Sequence, residues 1–188
     1  MLILQHPQEP DKLLGSAKLT NLSLENSTLK IGLSWANLSK ALGRPVEHAK
    51  WGVLFLGGKA KPTAPNQKPP RLQALSKSGN PVDLDETPLE GIVLIDGTWA
   101  QAKTMWWRNP WMIKLKRLVV TPQQRSLYGD LRREPRRECL STIEAAAETL
   151  EALGESPDIS VTLREHFKKL LDLYRKSPLR EKGPSARR

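Results

Sequence analysis

Asp96 ends a bare apolar run, Ile92-Val93-Leu94-Ile95, and is followed by Gly97-Thr98-Trp99. A carboxylate in such a place can act as a base or orient a substrate N–H, provided the chain holds it beside a ligand. Uninterrupted Ile, Val and Leu read as a strand buried on both faces, the kind found inside a parallel sheet. Gly97-Thr98 supplies a turn and an N-cap for a helix running from Trp99 towards Trp107. Asp96 then sits at the carboxyl end of a central strand, beside the free N–H groups of a helix start. In open α/β sheets that crevice takes ligands, and the N–H donors suit an anionic group. A second reading stays open, in which Asp96 only caps the next helix.

Other candidates surround this carboxylate. Trp51 to Leu56 is a second buried-strand run, ending in Gly57-Gly58-Lys59. Glycines there let backbone approach a ligand, which makes Leu56 and Gly57 candidate lining of the same crevice, although a simple turn explains them too. Neither a Walker nor a dinucleotide fingerprint is present. Lys116 to Thr121 reads as another central strand, so the expected crevice lies where strands close at Leu56, Ile95 and Thr121. Arg125, Arg132, Arg133, Arg136 and Arg137 then cluster around Tyr128. Their forked guanidinium groups suit RNA phosphates, while Glu134 and Glu138 offer an alternative set of partners. Ser141-Thr142-Ile143-Glu144 is a capping-box pattern opening a helix that continues from Ala145 to Leu153 and stops at Gly154.

The remaining elements must position these groups. Leu2-Ile3-Leu4 reads as a first strand, and Leu13 to Leu24 mixes helical and alternating spacing without resolving into either. Ala36 to Leu42 fits a short helix stopped by Gly43. Lys59 to Arg71, rich in proline and cations, reads as a basic loop insertion, and Arg71 to Leu84 as a hairpin around Ser78-Gly79-Asn80-Pro81. Trp99, Ala102 and Trp106 share one helix face, and core packing outweighs base stacking as the role of Trp106 or Trp107. A last helix, Ser160 to Lys176, carries an apolar stripe of Leu163, Phe167, Leu170, Leu171 and Tyr174 expected to pack on the sheet. The tail, 177–188, is basic and expected to be disordered. The expected organisation is one α/β domain over residues 1–176.

Bulk properties narrow the partners. Thirty Lys and Arg against twenty Asp and Glu leave a net charge of +10, which points to polyanions and to nucleic acid first. No apolar run is long enough to span a membrane, and Met1 to His6 lacks the basic flank and apolar length of a signal peptide. Cys139 is the only cysteine, which rules out an internal disulfide or a cysteine zinc cluster, and no credible metal site is visible. A cytoplasmic setting and a monomer are the expectations.

Asp96-Gly97-Thr98-Trp99 resembles the Asp-x-Thr-Trp signature of the DTW-domain family. Gln5-His6-Pro7-Gln8-Glu9 is similar to that family's opening His-Pro-x-Glu block. Leu131-Arg132-Arg133-Glu134-Pro135 and Leu140-Ser141-Thr142-Ile143-Glu144-Ala145 resemble its Leu-Arg-x-Glu-Pro and Ser-Thr-x-Glu-Ala blocks. Order and spacing match from about residue 3 to about residue 153. The resemblance implies transfer of a 3-amino-3-carboxypropyl group from S-adenosylmethionine to a uridine in RNA, chiefly tRNA. It implies a SPOUT-like fold, an open, mostly parallel sheet with helices on both faces and a C-terminal knot forming the cofactor site.

By the same resemblance, Asp96, Thr98 and Trp99 form the catalytic set. Trp99 and Ala102 hold the aminocarboxypropyl chain, Ile95 meets the ribose through its backbone, and Ser141 and Thr142 offer a cofactor wall. Ser16 stands where the family usually has a threonine, keeping the hydroxyl in an altered context. Many members carry a Cys-rich zinc-binding segment before the His-Pro-x-Glu block, whereas this sequence starts almost at that block. Two other readings remain: a SPOUT-like methyltransferase presenting the methyl group instead, and a non-catalytic basic RNA-binding relative.

Overall fold

The apolar runs become the middle of a seven-stranded sheet in a computed structural model that describes residues 1–10, 13–54, 69–131 and 140–177. Its strands are β1 (Leu2–Gln5), β2 (Thr28–Ile31), β3 (Trp51–Leu54), β4 (Leu72–Leu75), β5 (Pro81–Val82), β6 (Gly91–Asp96) and β7 (Lys116–Val120). Their order across the sheet is β2-β1-β6-β3-β7-β4-β5. The first five are parallel, and β4 and β5 add an antiparallel hairpin at one edge. The hairpin matches the reading of 71–84, with Gly79 at its tip in the left-handed conformation that favours glycine.

Helices α1 (Ser16–Ser23), α2 (Leu38–Leu42), α3 (Trp99–Arg108), α4 (Thr142–Ala152) and α5 (Pro157–Lys176) cover both faces. Alternation along the strands decides which face each side chain joins. Leu2, Leu4, Val93 and Ile95 pack with Leu38, Ala102, Met105, Trp111 and Met112 on the α2 and α3 side. Ile3 and Leu94 pack with Ala17, Ile143, Ala146, Leu163 and Phe167 on the α1, α4 and α5 side. Leu2, Ile3, Leu4 and Val93 are wholly buried, so each contributes roughly 1.5–3 kcal/mol relative to exposure. Gly91 lets Trp51 lie across β6, since a Cβ there would stand 2.4 Å from the indole ring.

Three local features differ from expectation. The unresolved stretch 13–24 contains helix α1, whose buried positions Ser16, Ala17 and Thr20 are small or polar and leave no hydrophobic period. β2 extends the sheet at its edge with residues that are half-buried or exposed, too weak a pattern to read as a strand. The stripe on α5 packs chiefly on α4 and α1 rather than on the sheet, because those two helices already occupy that face. Phe167 meets Tyr128 edge-to-face, with ring centroids 5.0 Å apart. The expected loop at 59–68, strand residues Phe55 and Leu56, and tail residues 178–188 lie outside the described residues.

Candidate functional site

Neighbouring parallel strands β1 and β6 send their following helices to opposite faces, α1 to one and α3 to the other. Such a reversal opens a crevice at the strand carboxyl ends. Register places Gln5, the last residue of β1, directly beside Asp96, the last residue of β6. The crevice thus has two polar side chains at its floor, each ending an otherwise apolar strand.

Asp96 is only 9% exposed, yet both carboxylate oxygens are engaged. Gln5 Nε2 donates to Oδ2 at 2.9 Å, and the Thr142 hydroxyl donates to Oδ1. Ser16 Oγ in turn accepts from the backbone N–H of Thr142 at 3.1 Å. Residues 5, 16, 96 and 142 therefore form one hydrogen-bonded chain, joining the ends of two strands to the first turns of α1 and α4. Each carboxylate oxygen keeps a second lone pair, and the Ser16 hydroxyl, having accepted, keeps its hydrogen to donate. A cation or N–H is accommodated by the first, and an anionic oxygen by the second together with the positive end of α4. The crevice can therefore take an N–H on its carboxylate side and an anionic oxygen on its hydroxyl side.

Thr98 and Trp99 stand at the crevice rim. The Thr98 hydroxyl accepts from Gln101 N at 3.4 Å, and Gln101 Oε1 accepts from Thr98 N at 2.6 Å, completing a capping box. Helix capping in this turn is therefore performed by Thr98 and Gln101 and not by Asp96. Gln101 Nε2 also reaches Gln8 Oε1 at 3.2 Å, tying α3 to the His6-Pro7 segment. The His6 N–H donates to the Asp96 carbonyl at 3.0 Å. Trp99, the first residue of α3, is 43% exposed.

The other candidate residues fall in different places. Ser141 is the N-cap of α4, its hydroxyl accepting from Glu144 N and donating to Glu144 Oε2 at 2.6 Å. Ile95 lies in the ladder opposite Leu4, and Ala102 is buried in the core under α3. Arg125 is exposed and has no ion-pair partner among the described residues. Leu56, Gly57, Arg132, Arg133, Arg136 and Arg137 lie outside the described residues. Arg71, read as part of a basic loop, is already paired: its guanidinium bridges Glu148 at 3.1 Å and Glu151 at 3.0 Å. That contact holds the Glu151 carboxyl below the usual glutamate range.

One residue escaped the sequence reading, and another was read only as part of a helix cap. Gln5 was visible only as the residue before His6, although a polar side chain closing an apolar strand is the signal Asp96 itself gave. Glu144 is wholly buried and accepts from Leu127 N at 2.6 Å, Ser126 Oγ at 2.8 Å and Ser141 N at 2.9 Å, besides the Ser141 hydroxyl. It staples the chain just after β7 to the start of α4, behind Thr142. Among the described residues no group of three His, Cys, Asp or Glu side chains is placed to hold a metal ion, and no helix is long and apolar enough to cross a membrane.

Fold and site together define an α/β domain with a buried carboxylate at a sheet switch point, framed by two helix starts. The model of the DTW-domain family matches residues 1–175, and the chain belongs to that family. It is 29% identical over 163 residues to a Drosophila melanogaster protein named tRNA-uridine aminocarboxypropyltransferase 2, covering 87% of this chain and 59% of the relative. Relatives of the same name from Mus musculus and Macaca fascicularis are 30% and 27% identical, each over 87% of this chain and 50% of the relative. The chain thus spans a little over half the length of these curated relatives. No solved structure matches it significantly.

Proposed function

We propose that this chain transfers a 3-amino-3-carboxypropyl group from S-adenosylmethionine to N3 of a uridine in RNA, with tRNA the first candidate substrate. The observation that carries this reading is the joining of Gln5, Ser16, Asp96 and Thr142 at the switch point of a DTW-domain chain. The names of its relatives supply the group transferred and the nucleoside that receives it.

When bound, S-adenosylmethionine supplies a sulfonium that opens its adjoining carbons to a nucleophile. Uridine N3 carries a proton and is a poor nucleophile until the proton is drawn away. Asp96, fixed by Gln5 and Thr142, directs an oxygen lone pair at that N–H and acts as base or orienter. Ser16 and the start of α4 hold the carboxylate end of the transferred chain. Trp99 shields the reacting edge from water. The uridine enters unpaired or flipped, because pairing hides N3. Arg125 and the arginines at 132, 133, 136 and 137 neutralise RNA phosphates. A C-terminal SPOUT-like knot forming the cofactor site belongs to this proposal. Breaking the carbon–sulfur bond would release methylthioadenosine as a neutral thioether, a good leaving group, so the displacement needs no metal ion. We place the activity in the cytoplasm and in a monomer.

The decisive experiment incubates the protein with S-adenosylmethionine labelled in the carboxypropyl chain and total RNA, followed by nucleoside mass analysis. The expected products are a labelled uridine nucleoside and methylthioadenosine. Adenosylhomocysteine with a methylated nucleoside would mean methyl transfer. Absence of both products, with no binding of S-adenosylmethionine by calorimetry, would leave an RNA-binding protein.

A further inference from the structure

Core packing was expected of Trp106 or Trp107, and the structure gives it to Trp106. Trp106 packs against the cluster under α3, while Trp107 is 72% exposed. Full exposure of a large aromatic ring leaves its faces in water, which is uncommon without a partner. Along α3, Trp99, Lys103 and Trp107 recur every four residues and lie on one solvent-facing stripe. Ala100 and Thr104, which flank that stripe, are exposed and small. α3 carries Lys103 and Arg108 and no acidic residue, and neither cation has an ion-pair partner among the described residues.

The stripe is continuous with the candidate site, since α3 starts at Trp99, three residues after Asp96. From there it runs about 12 Å along the helix axis to Trp107, enough for separate bases to meet the two rings. We propose that Trp107 and Lys103 form a platform for the unpaired nucleotides that flank the modified uridine. Trp107 stacks a base two helical turns from the reaction site, and Lys103, between the two tryptophans, meets the linking phosphate. Alternating rings and cations are what a single strand requires: aromatic faces accept any base, and the ammonium neutralises the backbone. This inference rests on the RNA-modifying reading and adds where the strand runs.

The test uses the full chain with a uridine decanucleotide, an abasic oligomer of the same length, and bulk tRNA as probes. Trp107→Ala should weaken decanucleotide binding by roughly five- to hundredfold, the range for loss of one stacked base, and leave abasic binding nearly unchanged. Trp107→Phe should restore most of the affinity. Lys103→Gln should weaken both oligomers and reduce the salt dependence. Calorimetric affinity for S-adenosylmethionine should be unaltered in all three, since Lys103 and Trp107 lie beyond Trp99, outside that pocket. Decanucleotide binding by Trp107→Ala equal to wild type would overturn the platform while leaving the proposed function standing. A wild-type dimer that Trp107→Ala converts to monomers, with RNA binding intact, would assign the ring to a contact between copies and overturn it too. If wild type binds none of the probes and transfers nothing to RNA, the proposed function falls and the platform with it.

Discussion

Replacing Asp96 with asparagine separates the charge of this side chain from its shape. The carboxylate accepts one hydrogen bond on each oxygen, from Gln5 Nε2 and from the Thr142 hydroxyl. In Asp96→Asn the remaining oxygen keeps Thr142, and the new NH2 faces the Gln5 NH2 until Gln5 turns its amide over and accepts. Two charge-assisted bonds become two neutral ones, a loss of about 1 kcal/mol each and about 2 kcal/mol in total. A domain stable by roughly 5–15 kcal/mol survives that loss and remains folded. Transfer to uridine should fall much further, by about two to four powers of ten, the usual contribution of a positioned base. Affinity for S-adenosylmethionine should change far less, because the charge on Asp96 matters most as N3 loses its proton. The assay is single-turnover transfer from labelled S-adenosylmethionine to tRNA, with calorimetry and urea denaturation on the same preparation. Near-wild-type turnover would refute the argument and return Asp96 to a purely structural role. Loss of cofactor binding instead would mean that Asp96 holds the ammonium of the amino-acid end.

Three further outcomes follow from the same geometry. Glu144→Gln puts an NH2 among the four donors that now converge on a buried carboxylate, and should cost roughly 2–4 kcal/mol in urea denaturation; a loss below about 1 kcal/mol would mean the staple is dispensable. Arg71 lowers the folded-state value of Glu151, so its contribution is fully present above the ordinary glutamate range and is lost as pH falls through the lowered value. Thermal melts of Arg71→Ala should therefore show a flatter acid limb than wild type, and parallel curves would contradict the pairing. Neutralising Arg132, Arg133, Arg136 and Arg137 together should reduce the slope of log affinity against log salt by up to roughly 3, about 0.7 per single-strand phosphate contact. An unchanged slope in direct RNA titrations would show that these arginines pair elsewhere.

What the sequence revealed depended on whether a signal was local. β6 and α3 were legible because an apolar run, a turn and an N-cap follow one another directly, from Gly91 to Thr98. α4 was legible for the same reason, with Ser141 and Glu144 three apart. α1 was not, since its buried face is made of Ser16, Ala17 and Thr20, and small polar residues bury without raising hydropathy. The pocket was legible only in pieces. Ser16, Asp96 and Thr142 were each singled out, but their hydrogen bonds span separations of 126 and 46 residues, which only strand order and helix placement can close. Gln5 went unnoticed because its meaning lies in the register that sets it beside Asp96. Trp106 and Trp107 are indistinguishable by composition, and the 100° turn per residue of the helix sends one inward and the other to solvent.

The Glu144 staple also bears on how such a chain can diversify. Its carboxylate holds Ser126 and Leu127 on one side and Ser141 on the other, so both ends of the arginine-bearing segment are anchored by a group outside that segment. Doubling the length of a loop with fixed ends costs only about 0.6 kcal/mol. Insertions, deletions and changes of charge between those anchors are thus nearly uncoupled from Thr142 and Asp96. Under the proposed function, changes of charge between those anchors alter the grip on RNA while Asp96 and its two donors stay where they are.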